Sequence, residues 1–320
     1  MPVRAVCMSH SPIMASSPAK PAFQSEIDAA FSAQREAAEE FDPELVVILG
    51  ADHYTGFTYQ VMPPFCVGAE AVAVDDEGGF PGRLRTDPDT ASNLVGRLSA
   101  RDVDAAISHS MTVDHGFSQV LTRLLGGLDR TPTLPIMVNT TARPQPRPRR
   151  ARLLGTALGE ILAADPRRVL VVGSGGLSHD PSPIFPQLAD AEPPVRAYVA
   201  GHAGELDRPG WLQMVREKTT WAARMLADGN LEREIGINPA WDRAFVDRLS
   251  SEPVEWVDSL EIEDLTRDGG SGAVELLIWI AVVAAAQAAD CAPAIVDLCV
   301  STPQYGIGLG VLHADPAVAA

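Results

Sequence analysis

The sequence predicts an α/β fold with a central, mostly parallel mixed sheet flanked by helices, and three observations carry that prediction. Short β-branched runs alternate with longer Ala-, Leu- and Glu-rich segments, the pattern of strands joined by crossover helices. The longer segments repeat apolar residues at three- and four-residue intervals, as a helix with one buried face does. Three histidines stand just after apolar runs: His10 after VRAVCMS, His53 after LVVILGAD and His179 after VLVVGSGGLS. Open α/β sheets build their sites at that carboxyl edge.

Taken in order, Val3 to Met8 reads as the first strand and Gln24 to Phe41 as the first long helix. Leu45 to Leu49 is the second strand candidate, and Thr90 to Leu98 a helix. Leu134 to Val138 is a third strand. Thr141 to Arg150, TARPQPRPRR, reads as a surface loop because proline lacks the backbone donor and restricts the residue before it. Arg152 to Ala163 is a helix, Val169 to Val172 a strand, and Trp211 to Leu226 and Gly272 to Ala289 are helices. Ala294 to Val300 is the last strand, and the Ala-rich tail from Ala314 reads as frayed. No repeat of 20 to 50 residues suggests a solenoid. With 320 residues and 46% hydrophobic composition the chain can bury a full core, and one domain over 1–320 is expected.

A formal charge of −17 disfavours binding to a phosphate backbone, which needs clustered Lys and Arg, so no nucleic-acid partner is expected. The longest apolar run, Ala273 to Ala289, is broken by Glu275 and Gln287, and the N-terminus lacks the apolar stretch of a signal peptide. No membrane partner and a cytoplasmic location follow as expectations. Cys7, Cys66, Cys291 and Cys299 lack CxxC spacing and read as buried thiols in a reducing compartment.

The chemistry gathers on histidines. GSGGLSH from Gly173 lacks both the GxGxxG spacing and the lysine of a phosphate loop, so its glycines read as room for a sharp turn that presents His179. In MTVDHGF, Asp114 stands beside His115, and neighbours in sequence seldom point the same way, so an orienting role toward His115 is open. Two histidines and a carboxylate around a metal with open positions form the facial triad of non-haem iron(II) oxygenases. His10 and His53 are the natural pair. Glu275, at the head of the apolar run VELLIWIAVVAAA, is the candidate third ligand, since burying a carboxylate is costly unless it is paired or metal-bound. A favourable charge at a helix N-terminus is the alternative reading of Glu275.

Several longer motifs stand in order along the chain: CMSHSP from Cys7, FDPELVVILGADHYTGF from Phe41, VMPPFCVG from Val61, VDHGF from Val113, LLGGLD from Leu124, GSGGLSH from Gly173 and NPAWD from Asn238. In these motifs the chain resembles the class III extradiol dioxygenases, specifically the 2,3-dihydroxyphenylpropionate (3-carboxyethylcatechol) 2,3-dioxygenases. The resemblance implies Fe(II) held by His10, His53 and Glu275, with His179 as proton acceptor and His115 as proton donor. Spacing alone leaves Glu261 and Glu263 open as the third ligand. The implied reaction is ring opening of a catechol-type substrate by O2, in an enzyme expected to be a homo-oligomer. A substrate carboxylate calls for an Arg or Lys at the cavity, and spacing singles out none. A metal-dependent hydrolase on the same histidines and a non-catalytic metal-binding relative are the alternatives.

Overall fold

A computed structural model describes residues 2–231 and 235–317. In chain order the strands are β1 (Val3–Met8), β2 (Leu45–Gly50), β3 (Phe65–Gly68), β4 (Ala71–Ala73), β5 (Gly82–Arg83), β6 (Ala106–Ser108), β7 (Met111–Val113), β8 (Thr133–Val138), β9 (Val169–Ser174), β10 (Ile295–Thr302) and β11 (Ile307–Ala314). The helices are α1 (Ile13–Ser16), α2 (Gln24–Phe41), α3 (Pro88–Ser99), α4 (His115–Leu125), α5 (Pro148–Ala163), α6 (Pro193–Val199), α7 (Arg208–Ala227), α8 (Pro239–Ser251), α9 (Ile262–Gly269) and α10 (Leu276–Ala288).

Eight strands form one sheet in the order β10-β11-β1-β9-β2-β8-β3-β6, and β5-β4-β7 make a small second sheet. The centre, β1-β9-β2-β8, is parallel, while β11 joins β1 and β3 joins β8 in antiparallel fashion. Sheets covered on both faces need apolar residues in both alternating sets. In β1, Val3, Ala5 and Cys7 face one core layer while Val6 and Met8 face the other, and β2 divides in the same way. The first layer is built on α5 and α10, the second on α2 and α4.

Helix α10 is apolar all round because it is buried all round. The segment Ser271–Ala288 is long and apolar enough to cross a membrane, yet here it forms the spine of the core. Gly155 and Gly159 of α5 let the two helices touch: a Cβ at either would lie 2.0 and 2.3 Å from the carbonyl oxygens of Ala281 and Ala285.

The structure departs from the sequence reading in three places. Pro148 to Arg150 are helical, because proline at the first helical position gives up a donor that would have no partner there, so the loop is confined to 141–147. Ala314 is the buried last residue of β11, and Pro316 bridges Cys291, so the tail is held at least to there; residues 318–320 lie outside the described residues. The apolar segment from Gly272 begins as a 3-10 turn over Ser271–Glu275 and becomes α-helical at Leu276.

Candidate active site

Adjacent central strands deliver the site. His10 stands two residues beyond β1, His53 three beyond β2 and His179 five beyond β9, at one edge of the sheet. His115 arrives separately, as the first residue of α4, whose N-cap is Asp114. His10, His53 and His115 are buried, and one ring nitrogen of each lies within 4.8 Å of the others.

Each imidazole is held by its Nδ1. His10 Nδ1 lies 3.0 Å from Ser174 Oγ at the end of β9. His53 Nδ1 is 3.1 Å from Asp114 Oδ2, which also accepts the His53 backbone N–H at 2.8 Å. His115 Nδ1 is 2.5 Å from Asp76 Oδ2, which accepts the His115 backbone N–H at 3.0 Å. His179 Nδ1 faces the Leu177 carbonyl at 2.9 Å. A carboxylate or carbonyl oxygen only accepts, so Nδ1 of His53, His115 and His179 carries the proton and a neutral ring keeps its lone pair on Nε2. Asp114 therefore orients His53 and not its neighbour His115. Asp76, which the sequence did not single out, orients His115 across 39 residues of chain.

Glu275 closes the cluster. Its Oε1 lies 3.3 Å from His53 Nε2 and 3.9 Å from His10 Nε2, and Gly176 N–H donates to its Oε2 at 2.5 Å. The side chain is buried inside the 3-10 turn, so it is not a solvent-facing charge at a helix end. Glu261 instead caps α9 and pairs with Arg147, and neither it nor Glu263 lines the cavity. His109 and His202 are exposed, and His313 pairs with Asp297.

Burial pushes the His10 imidazole down to about 3, which keeps it neutral. Burial acts in the same sense on His53 but is outweighed by the Asp114 and Glu275 carboxylates, which raise it. For Glu275 burial works toward a higher pKa; the neighbouring His10 ring and the hydrogen bond with His53 outweigh it, and the carboxyl sits well below its usual range. The cluster is thus a buried carboxylate set against a neutral His10 ring and a His53 ring whose hold on a proton is strengthened, and His115 Nε2 has no hydrogen-bond partner. Buried polar atoms left in this state call for a cation or a ligand. Two imidazole nitrogens and one carboxylate oxygen, with the Nδ1 atoms tethered by an outer ring of residues, suit a divalent transition metal, which would take the place of the proton on His53.

Of the glycines in GSGGLSH only Gly176 abuts the His179 ring, and Gly272 from the other side completes its slot. A Cβ on Gly272 would stand 2.3 Å from the His179 ring, and one on Gly176 2.8 Å from it, so the ring fits only between bare backbone. Tyr54, next after His53, holds a left-handed backbone at φ 58° that redirects the chain out of the site, and its carbonyl accepts from Tyr198 Oη.

The four histidines and Glu275 form the inner end of a cavity of about 320 Å³. Its outer wall is apolar: Ile184, Phe185, Ala222, Leu226 and Ile307. Phe185 packs on His53 with ring centroids 4.8 Å apart. The volume suits a single small aromatic ligand.

Known proteins match this chain along nearly its whole length. Residues 4–307 match the family described as the catalytic LigB subunit of aromatic ring-opening dioxygenase. A protein of Burkholderia vietnamiensis named 2,3-dihydroxyphenylpropionate/2,3-dihydroxicinnamic acid 1,2-dioxygenase is 40% identical over 314 residues, covering 98% of each chain. A protein of the same name from Paraburkholderia xenovorans is 41% identical over 317 residues, covering 99% of this chain and 98% of its own. Among solved structures, an uncharacterized protein of Escherichia coli K12 shares the fold with a TM-score of 0.50 at 15% identity, covering 97% of this chain and 98% of its own. With the family match spanning nearly the whole chain and relatives this similar end to end, the chain belongs to the LigB family of aromatic ring-opening dioxygenases.

Proposed function

We propose that the chain, acting as one domain over 1–320, catalyses extradiol cleavage of 2,3-dihydroxyphenylpropionate or its cinnamate analogue by O2 at a non-haem Fe(II) site. The observation that carries this reading is the meeting of His10 Nε2, His53 Nε2 and Glu275 Oε1 at the floor of a catechol-sized apolar cavity. These three residues would hold the metal. His115 has a free Nε2 as well, but the Glu275 carboxylate pairs with His10 and His53 and not with it. When bound, iron supplies charge that acidifies a catechol hydroxyl and the redox capacity that dioxygen chemistry requires.

The remaining steps belong to this chain's own side chains. His179 is the proton acceptor: the Leu177 carbonyl fixes its tautomer with the lone pair on Nε2, ready to take a catechol proton. His115 is the proton donor: Asp76 beside Nδ1 stabilises the imidazolium, so Nε2–H can protonate an oxygen that departs in the ring-opening stage. The apolar wall from Ile184 to Ile307 excludes water and orients the ring by contact. A cytoplasmic location and a symmetric homo-oligomer are parts of the same proposal.

The test is oxygen uptake by anaerobically iron(II)-loaded protein given 2,3-dihydroxyphenylpropionate. Uptake with a yellow product of the 2-hydroxy-6-oxonona-2,4-dienedioate type is the expected outcome. Iron-replete protein that consumes no oxygen with any 3-substituted catechol would overturn the reading.

A further inference from the structure

The cavity's outer end holds a feature that ring cleavage itself does not require. Helix α7 presents Lys218, Trp221, Ala222 and Leu226 to the cavity, positions three and four residues apart that share one helical face. Three of these are apolar, and Lys218 is the one lysine or arginine among the residues that line the cavity. An ammonium group on an apolar face is an expensive choice unless something negative meets it.

Among the described residues nothing negative does so. Arg216, two residues earlier, lies near Asp75 and Glu77. Lys218 has a different partner: its Nζ donates to the Pro183 carbonyl at 3.1 Å, and among the described residues no carboxylate pairs with it. An ammonium has three donors, so two remain for a ligand. The other acid at the cavity, Asp180, is occupied by Ser271 Oγ and the Ser182 N–H.

Placement fits a ligand that spans the cavity. Pro183 is two residues from Phe185, about 7 Å of chain at full extension, and Phe185 packs on the His53 ring. Lys218 and the His53–Phe185 pair thus line the same cavity along one short segment, where a catechol at the histidines can point a substituent toward the ammonium. For an enzyme of charge −17, an anionic substituent also needs a local cation to offset the repulsion of the whole molecule.

We propose that Lys218 receives the side-chain carboxylate of the substrate and is the residue by which the cavity prefers an anionic 3-substituted catechol to a neutral one. The proposal rests on the ring-cleavage reading and deepens it. On binding, two Lys218 N–H groups turn to the carboxylate oxygens while the catechol end stays at the histidines.

The experiment compares kcat/KM for 2,3-dihydroxyphenylpropionate and for 3-propylcatechol, which has the same chain length without the charge, in wild type, Lys218→Met and Lys218→Arg. Methionine keeps the length of the aliphatic stem, and the half-exposed position tolerates the change. The ratio of the two kcat/KM values is expected to fall about 10- to 100-fold in Lys218→Met, through KM, as for the loss of a hydrogen-bonded charge pair. Lys218→Arg should recover most of it. A ratio within about threefold of wild type in Lys218→Met, or an equal fall with both catechols, would overturn the assignment while leaving ring cleavage intact. Wild-type enzyme that opens neither catechol would remove the ring-cleavage reading, and this assignment with it.

Discussion

The two ends of the cavity are built by different rules. At the inner end every imidazole is tethered through Nδ1: His10, His53 and His115 to Ser174, Asp114 and Asp76 from other parts of the chain, and His179 to the Leu177 carbonyl of its own loop. His10, His53 and His179 hang from the ends of β1, β2 and β9, strands buried along their whole length, so the reactive atoms inherit the rigidity of the core. The outer end is a wall of side chains from the 181–185 segment and α7, with Trp221 52% exposed and Lys218 half-exposed. It is held by packing in a third, smaller apolar cluster around Tyr54 and Trp211. Chemistry is fixed where geometry is fixed. Selection among substrates is left to a surface where side chains can change without disturbing the sheet.

The strongest way to break that comparison is to separate holding the metal from moving protons within the inner end. His10→Ala and His53→Ala are expected to lose bound iron and, with it, all measurable turnover, since a site with two donors left is a poor one. His115→Gln and His179→Gln should keep iron at wild-type stoichiometry while kcat falls about 100- to 10,000-fold. Iron content measured alongside kcat checks both. If His115→Gln were to lose its iron while Glu275→Gln kept it, then the third ligand would be His115, and the inner end would hold three histidines instead of a triad.

A smaller effect tests whether the tethers matter beyond folding. Asp76→Asn leaves an amide oxygen able to accept from His115 Nδ1–H but removes the negative charge that supports the imidazolium. We expect kcat to fall about 10- to 100-fold with KM and iron content little changed, the range found when a partner behind a functional imidazole is altered. A merely structural Asp76 would show itself by a loss of thermal stability with kcat per folded molecule preserved.

The same contrast decides what could be read from the sequence. Strand β1 and helix α2 have the predicted bounds, because six buried residues, five of them apolar, and an eighteen-residue amphipathic run leave little choice. Strands β4 to β7 are two or three residues long, too short for a period of two to register, and β11 carries glycines at 308 and 310 that mask it. His10, His53 and His179 were legible because a strand end is a local feature. Asp76 was not: its partner lies 39 residues away, and only the closing of α4 against the small sheet brings them together. Lys218 lay inside a predicted helix, but which face of that helix covers a cavity is decided by tertiary packing.

The smallest predicted effect lies behind the inner end, at Asp242. This buried carboxylate accepts from the Ser178 N–H at 2.8 Å and Ser178 Oγ at 2.7 Å, and so anchors the residue before His179 from outside the cavity. Burial pushes its pKa up to about 6, against an unfolded value near 4. A folded-state pKa above the unfolded one means that the native protein holds the proton more tightly. The group therefore favours folding most below about pH 4, and that advantage is lost as the pH rises through about 6. Asp242→Asn, which cannot ionise and keeps one acceptor for Ser178, should thus gain on wild type as the pH rises from 4 to 7. The gain is on the order of 2 kcal/mol across that window, and turnover should change only severalfold because no reacting atom is touched. Thermal melts of both proteins at half-unit steps of pH supply the difference curve. A difference that stays flat from pH 4 to 7 would mean that Asp242 is ionised throughout, and that the anchor of His179 is a charged one like the tethers of His53 and His115.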